Sequence, residues 1–181
     1  MSAAPGRRPA TEAEIAALAS SVRLRIIRMT RAEPLTNARI AELLGRDPAT
    51  TLHHVRKLVR HGFLEPLPAR RGTRGAKEIP YRSTGLSWRL EGAGADPVLA
   101  EAVLRAYLDE VTEVGVTALE QTRLVVQLRP TEVQSLRAEL DAVVQRYAAL
   151  PVDAGAEPVA IYLSVYPGGN RTDSDGVDMG A

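Results

Sequence analysis

The chain contains no cysteine. That absence removes disulfides, thiolate metal sites, thiol redox switches and cysteine nucleophiles. Also missing is any run near the roughly 18 to 20 consecutive apolar residues that a membrane span needs. The first ten residues lack the apolar stretch of a secretory signal, so a cytosolic address is the default expectation. Lysine is scarce: of 23 basic residues only Lys57 and Lys77 are lysine, which with abundant alanine reads as high-GC coding more than as arginine chemistry. What is present is 181 residues with 45% apolar side chains, enough for one large or two small folded domains with a buried core.

The net charge of +1 conceals an asymmetry. Residues 1–90 hold 17 Arg or Lys against 7 Asp or Glu, and residues 91–181 hold 6 against 15. A basic first half facing an acidic second half implies a nucleic-acid or other anionic partner for the former. Mutual attraction of two oppositely charged lobes is the alternative.

Residues 1–10, with Pro5, Gly6 and Pro9, read as a mobile arm. Thr11 and Glu14 have capping-box spacing and open a short helix bearing Ile15, Leu18 and Ala19. Ser20 or Ser21 caps a second helix with Val22, Ile26 and Ile27 on one face. Thr36 caps a third, carrying Ile40, Leu43 and Leu44, and Gly45 lets the chain leave it. After only Gly45, Arg46 and Asp47 a fourth helix begins: Asp47 is its N-cap, Pro48 its first residue, and it runs to about His61. Leu52, Val55, Leu58 and Val59 make its buried stripe. Two helices across so short a glycine turn form a helix-turn-helix. Residues 63–67 and 79–83 read as strands joined by a basic, glycine-bearing hairpin tip, which directly after such a helix is a wing.

Composition shifts after Trp88. A linker with Gly92, Gly94 and Pro97 leads to an acidic helix over about 98–118, striped by Ala100, Leu104, Tyr107, Leu108, Val111, Val114 and Ala118. A run at 124–128, a helix from Thr131 to about 149 with a Thr131–Gln134 capping box, and an alternating segment at 158–166 suggest a small β-α-β unit. From Gly168 the polar tail reads as disordered. The expected architecture is mainly α with a small β wing: a winged helix-turn-helix domain over 11–90, then a C-terminal domain over 97–167 built from the long helix and the β-α-β unit.

Residues 17–29 (ALASSVRLRIIRM), 39–45 (RIAELLG), 50–58 (TTLHHVRKL) and 62–64 (GFL) occur in this order and closely resemble the ArsR-like family of bacterial winged-helix transcription regulators. Residues 71–82 look like a subgroup with an extended C-terminal region rather than the short metal sensors. The resemblance implies binding to double-stranded DNA. By position it implies phosphate contacts from Thr50 and Thr51, major-groove contacts from His53, His54 and Lys57, a phosphate contact from Arg56, and wing contacts from Arg70, Arg71, Arg74 and Lys77. His54 precedes Val55 of the buried stripe, and satisfying a local backbone group is its alternative role. The family's metal sensors use cysteine clusters or histidine and acid pairs on terminal helices. Neither occurs here, and adjacent His53 and His54 project about 100° apart on a helix, so no metal or other cofactor is expected.

The leading expectation is thus a homodimeric regulator, a repressor, because one recognition helix reads few base pairs while two related by a two-fold reach adjacent half-sites. Ile15, Leu18, Leu104, Tyr107, Leu108, Val111 and Val114 are the candidate dimer surface, with core packing inside one chain as the alternative use of that stripe. A small-molecule effector is a further expectation, with Tyr147, Tyr162 and Tyr166 as candidate pocket residues or simply core. A winged-helix module docking an acidic protein is the second reading. An enzyme using Asp109, Glu110 and Glu113 is the third, and it lacks a nucleophile with a base, a phosphate loop and a metal set.

Overall fold

Helix α1 (Glu12–Leu18) starts where two residues satisfy each other's backbone. The Thr11 hydroxyl accepts from the Glu14 N–H at 3.2 Å, and the Glu14 carboxylate accepts from the Thr11 N–H at 2.9 Å. A computed structural model describes residues 7–72, 77–92, 95–151 and 155–168. The chain divides into two units, residues 1–119 with 152–158 and residues 120–151 with 159–181.

In the first unit, α2 (Ser21–Ala32) follows Ser20, whose side chain makes no capping bond. Arg23 instead fixes the α1–α2 corner. Its buried guanidinium donates to the carbonyls of Ala16 at 3.1 Å, Ala19 at 3.3 Å and Ala17, acceptors that the end of α1 leaves open. Strand β2 (Leu35–Thr36), too short for a sequence pattern, leads into α3 (Asn37–Leu43), where the Thr36 hydroxyl accepts from the Arg39 N–H at 3.3 Å. Gly45 turns the chain at φ +60°, a conformation that strains residues bearing a Cβ. Helix α4 (Pro48–Arg60) then begins with Pro48 at its first position and the Asp47 carboxylate accepting from the Thr50 N–H at 2.9 Å.

Strand β3 (Leu64–Pro66) pairs antiparallel with β6 (Pro80–Ser83), which also pairs with β2, giving a three-stranded sheet in the order β2-β6-β3. Between them, β4 (Arg70–Arg71) and β5 (Lys77–Glu78) form the arms of a hairpin. Ile26 of α2, Ile40 of α3, Val55 and Leu58 of α4, and Phe63 and Leu64 at the sheet are buried together in the core. Each large apolar side chain of this kind stabilises by about 1.5–3 kcal/mol. The fold is a winged helix-turn-helix.

Two differences from the sequence reading concern the ends of this unit. Residues 7–10 are not a free arm. Strand β1 (Arg8–Pro9) pairs parallel with β7 (Leu90–Glu91), the Ala10 N–H donates to the Glu91 carbonyl at 3.0 Å, and the Arg7 guanidinium lies 5.2 Å from the Trp88 ring centre. Residues 1–6 of the expected arm lie outside the described residues. At the other end, α5 (Pro97–Val114) stops at Gly115, whose φ of +83° takes the backbone out of the helix, and residues 116–118 form only a 3-10 turn. Helix α5 belongs with the winged helix and packs on α1 and α2, rather than with the residues that follow it. Its buried side carries Leu99, Ala102 and Ala106.

In the second unit, α6 (Pro130–Ala148) starts one residue earlier than expected, because the Glu132 carboxylate accepts from the Arg129 N–H at 2.7 Å. The Thr131–Gln134 box is not the one used. The expected β-α-β unit is present only as this helix. Residues 124–128 and 159–166 enter no strand ladder, and their side chains stand in solvent instead of on a sheet. Residues 169–181 of the expected tail lie outside the described residues. Among the described residues no helix is long and apolar enough to cross a membrane.

Candidate nucleic-acid interface

Spacings of three, four and seven residues bring Ala49, Thr50, His53, Arg56, Lys57 and Arg60 to the outward side of α4. All are exposed except Lys57, which is half-buried. The opposite side carries Val55 and Leu58 into the core, so this outer face is fixed in orientation. Asn37 reinforces the fixing across the turn, its Nδ2 donating to the Pro48 carbonyl at 2.9 Å and so tying the start of α3 to the start of α4. Neither Asn37 nor the exposed Arg46 and Arg60 is among the DNA contacts expected from the sequence. Arg46 and Arg60 carried a signal, a basic residue at each end of the recognition helix. Asn37 carried none, because its partner is a main-chain carbonyl.

Two of the expected contacts sit differently. Thr51 is 0% exposed and its hydroxyl donates to the Asp47 carbonyl at 2.9 Å, so it belongs to the core and reaches no phosphate. One residue further round from His53, His54 turns toward the interior, and its Nδ1 is buried without a hydrogen-bond partner among the described residues. Burial foremost, then the positive charges of Arg23, His53, Arg46 and Lys57, push the His54 imidazole below the usual histidine range. His53 meets it edge-on at 6.0 Å and remains exposed. The Asp47 carboxyl also lies below the usual range, chiefly because it accepts the Thr50 N–H.

On the hairpin Arg70, Arg71 and Lys77 are exposed. Arg70 faces Glu78 at 4.0 Å, a surface pair of little energetic weight. Arg74 lies outside the described residues. The exposed basic side chains thus stand on two elements, a helix that also carries hydrogen-bonding side chains and a basic hairpin.

The remaining candidates are dispersed. Leu18 is buried in the core and is closed to a second chain, and Ile15 packs against that core. Leu104, Leu108 and Val114 of α5 are exposed, while Tyr107 and Val111 are half-buried. Glu110 and Glu113 are ion-paired with Arg28 and Arg25 of α2, so these carboxylates act as struts between helices. Tyr147, Tyr162 and Tyr166 are exposed, and the cavities of ≈ 370 Å³ beside Thr36, Arg39 and Arg70 and ≈ 250 Å³ beside Ser21, Glu101 and Arg105 lie elsewhere.

Comparison with known proteins agrees with the geometry over a limited span. A model of a helix-turn-helix domain matches residues 18–66, well short of half the chain. No curated protein sequence matches. Among solved structures, reduced HlyU from Vibrio cholerae is 19% identical, covering 53% of this chain and 84% of its own, with a TM-score of 0.35. Lactococcus lactis ZitR in complex with DNA is 20% identical, with 70% and 74% covered and a TM-score of 0.31. The transcriptional regulator Tm0710 from Thermotoga maritima is 15% identical, with 72% and 79% covered and a TM-score of 0.32. What the comparisons add to the geometry is a helix-turn-helix domain over residues 18–66.

Proposed function

We propose that the chain is a cytosolic transcription regulator that binds double-stranded DNA as a homodimer and acts as a repressor. The observation that carries this reading is the outer face of α4. It presents Thr50, His53, Arg56, Lys57 and Arg60 from a helix fixed by its Asp47 cap and buried inner side, with Arg70, Arg71 and Lys77 of the hairpin as a second basic element. An α-helix fits the major groove, where side chains such as His53 and Lys57 read base edges, while the wing arginines and Arg56 lie along phosphates. The exposed row Leu104, Leu108 and Val114 of α5, with Tyr107 and Val111, supplies a surface on which two copies meet and bring two recognition helices to half-sites roughly 34–36 Å apart. A reporter driven by the chain's own upstream region tests the regulatory half of the reading. Expression of the wild-type chain lowers reporter output, and the His53→Ala, Lys57→Ala double variant restores it; unchanged output with the wild type contradicts repression.

A further inference from the structure

No described residue of the second unit is buried. Leu124, Val125 and Val126, before α6 in the sequence, and Val159, Ile161 and Leu163, after it, are all more than half exposed, with Val159 at 84%. The stretch Pro158–Pro167 contains no charged residue and alternates Val159, Ile161, Leu163 and Val165 with Ala160, Tyr162, Ser164 and Tyr166. That is a strand pattern without a ladder. Segments of this kind, rich in β-branched and aromatic residues and free of charge, pair with another edge when one is offered.

We infer that the occupant of this surface is the same unit of a second copy, with residues 159–166 of the two chains pairing about a two-fold axis and 124–128 flanking them. Area decides in favour of a dimer. At these exposures the apolar side chains of 124–128 and 159–166 together present on the order of 1,000 Å² per chain, comparable with the roughly 800 Å² that each partner loses in a standard interface. A two-fold axis lets one segment be its own complement, and Pro158 and Pro167 limit the pairing to a single short strand at each end. The choice of a second copy over a foreign protein rests on the two-fold DNA reading above.

The absence of cysteine makes the test direct. Single substitutions Val159→Cys, Ile161→Cys, Leu163→Cys and Val165→Cys are introduced into the full chain, mildly oxidised, and run on a non-reducing gel. At least one of the four gives a disulfide-linked dimer. In parallel, light scattering after size exclusion follows Ile161→Asp. This variant raises the dimer dissociation constant at least tenfold while the helical circular dichroism is retained. A wild-type chain that is monomeric throughout, four cysteine variants that never cross-link, or an Ile161→Asp variant with wild-type dissociation would each overturn the inference. DNA binding is measured separately on the same samples, so failure of the DNA reading shows as lost binding and not as lost cross-linking.

Discussion

Glutamate 14 holds the start of the chain in place, and replacing it with glutamine gives a pH-dependent loss whose size follows from its contacts. Its carboxylate accepts from both terminal nitrogens of Arg8, at 2.9 and 2.5 Å, and from the Thr11 N–H and hydroxyl at 2.9 and 3.0 Å. The Arg8 bonds first, and the Thr11 N–H second, lower its pKa from 4.5 to about 2. A full linkage conversion of that interval is about 3 kcal/mol. The Arg8 side chain is 48% exposed, however, against 10% for Glu14, so solvent screening reduces the expected contribution to about 1–2 kcal/mol. The folded pKa is the lower one. The stabilisation is therefore complete above the unfolded value near 4.5 and is lost as pH falls toward 2. Urea unfolding followed by the fluorescence of Trp88, the only tryptophan, gives the difference between wild type and Glu14→Gln across this range. The difference is expected to be about 1–2 kcal/mol at pH 7 and to shrink steadily below pH 4.5. A difference that is zero at pH 7, or constant down to pH 3, would refute the role assigned to the Arg8–Glu14–Thr11 cluster.

Asp47→Ala removes the cap of the recognition helix and costs about 1 kcal/mol in denaturant titration; no loss would mean the cap is replaceable. Phe63→Ala empties the centre of the core and costs about 3–5 kcal/mol, read as a fall in the unfolding midpoint. His54 is neutral in the folded state below its ordinary titration range, so its protonation favours the unfolded chain. Stability is full above about pH 6.5 and falls as pH drops below it. His54→Gln flattens that part of the stability profile, and an unchanged profile would place the acid sensitivity elsewhere.

Where a structural device is local and stereotyped, the sequence announces it. The Thr11–Glu14 box, the Asp47-Pro48 start and the Gly45 turn all satisfy main-chain groups with side chains a fixed few residues away, and each is found where its spacing puts it. Where burial depends on which face meets a neighbour, the reading runs out. Large apolar residues mark the Leu104–Val114 row as a dimer surface or, alternatively, as core, and do not show which side of α5 meets α2. The side that packs uses Leu99, Ala102 and Ala106, because small side chains let α5 approach α2 closely enough for Arg25 and Arg28 to pair with Glu113 and Glu110. The family resemblance implied a phosphate contact from Thr51, yet its place in the helical repeat is on the core side with Val55 and Leu58. Strands β1 and β2 span two residues each, too few to show any period.

The central claim is that the α4 face and the wing bind specific DNA. Fluorescence anisotropy of the full chain with its own upstream DNA and with unrelated DNA, at two salt concentrations, tests this most directly. Binding is expected to be tighter to the upstream sequence, to weaken as salt rises because phosphate contacts release counterions, and to lose its preference in the His53→Ala, Lys57→Ala variant. Absence of binding to either DNA at low salt would contradict it and leave the basic face to another partner.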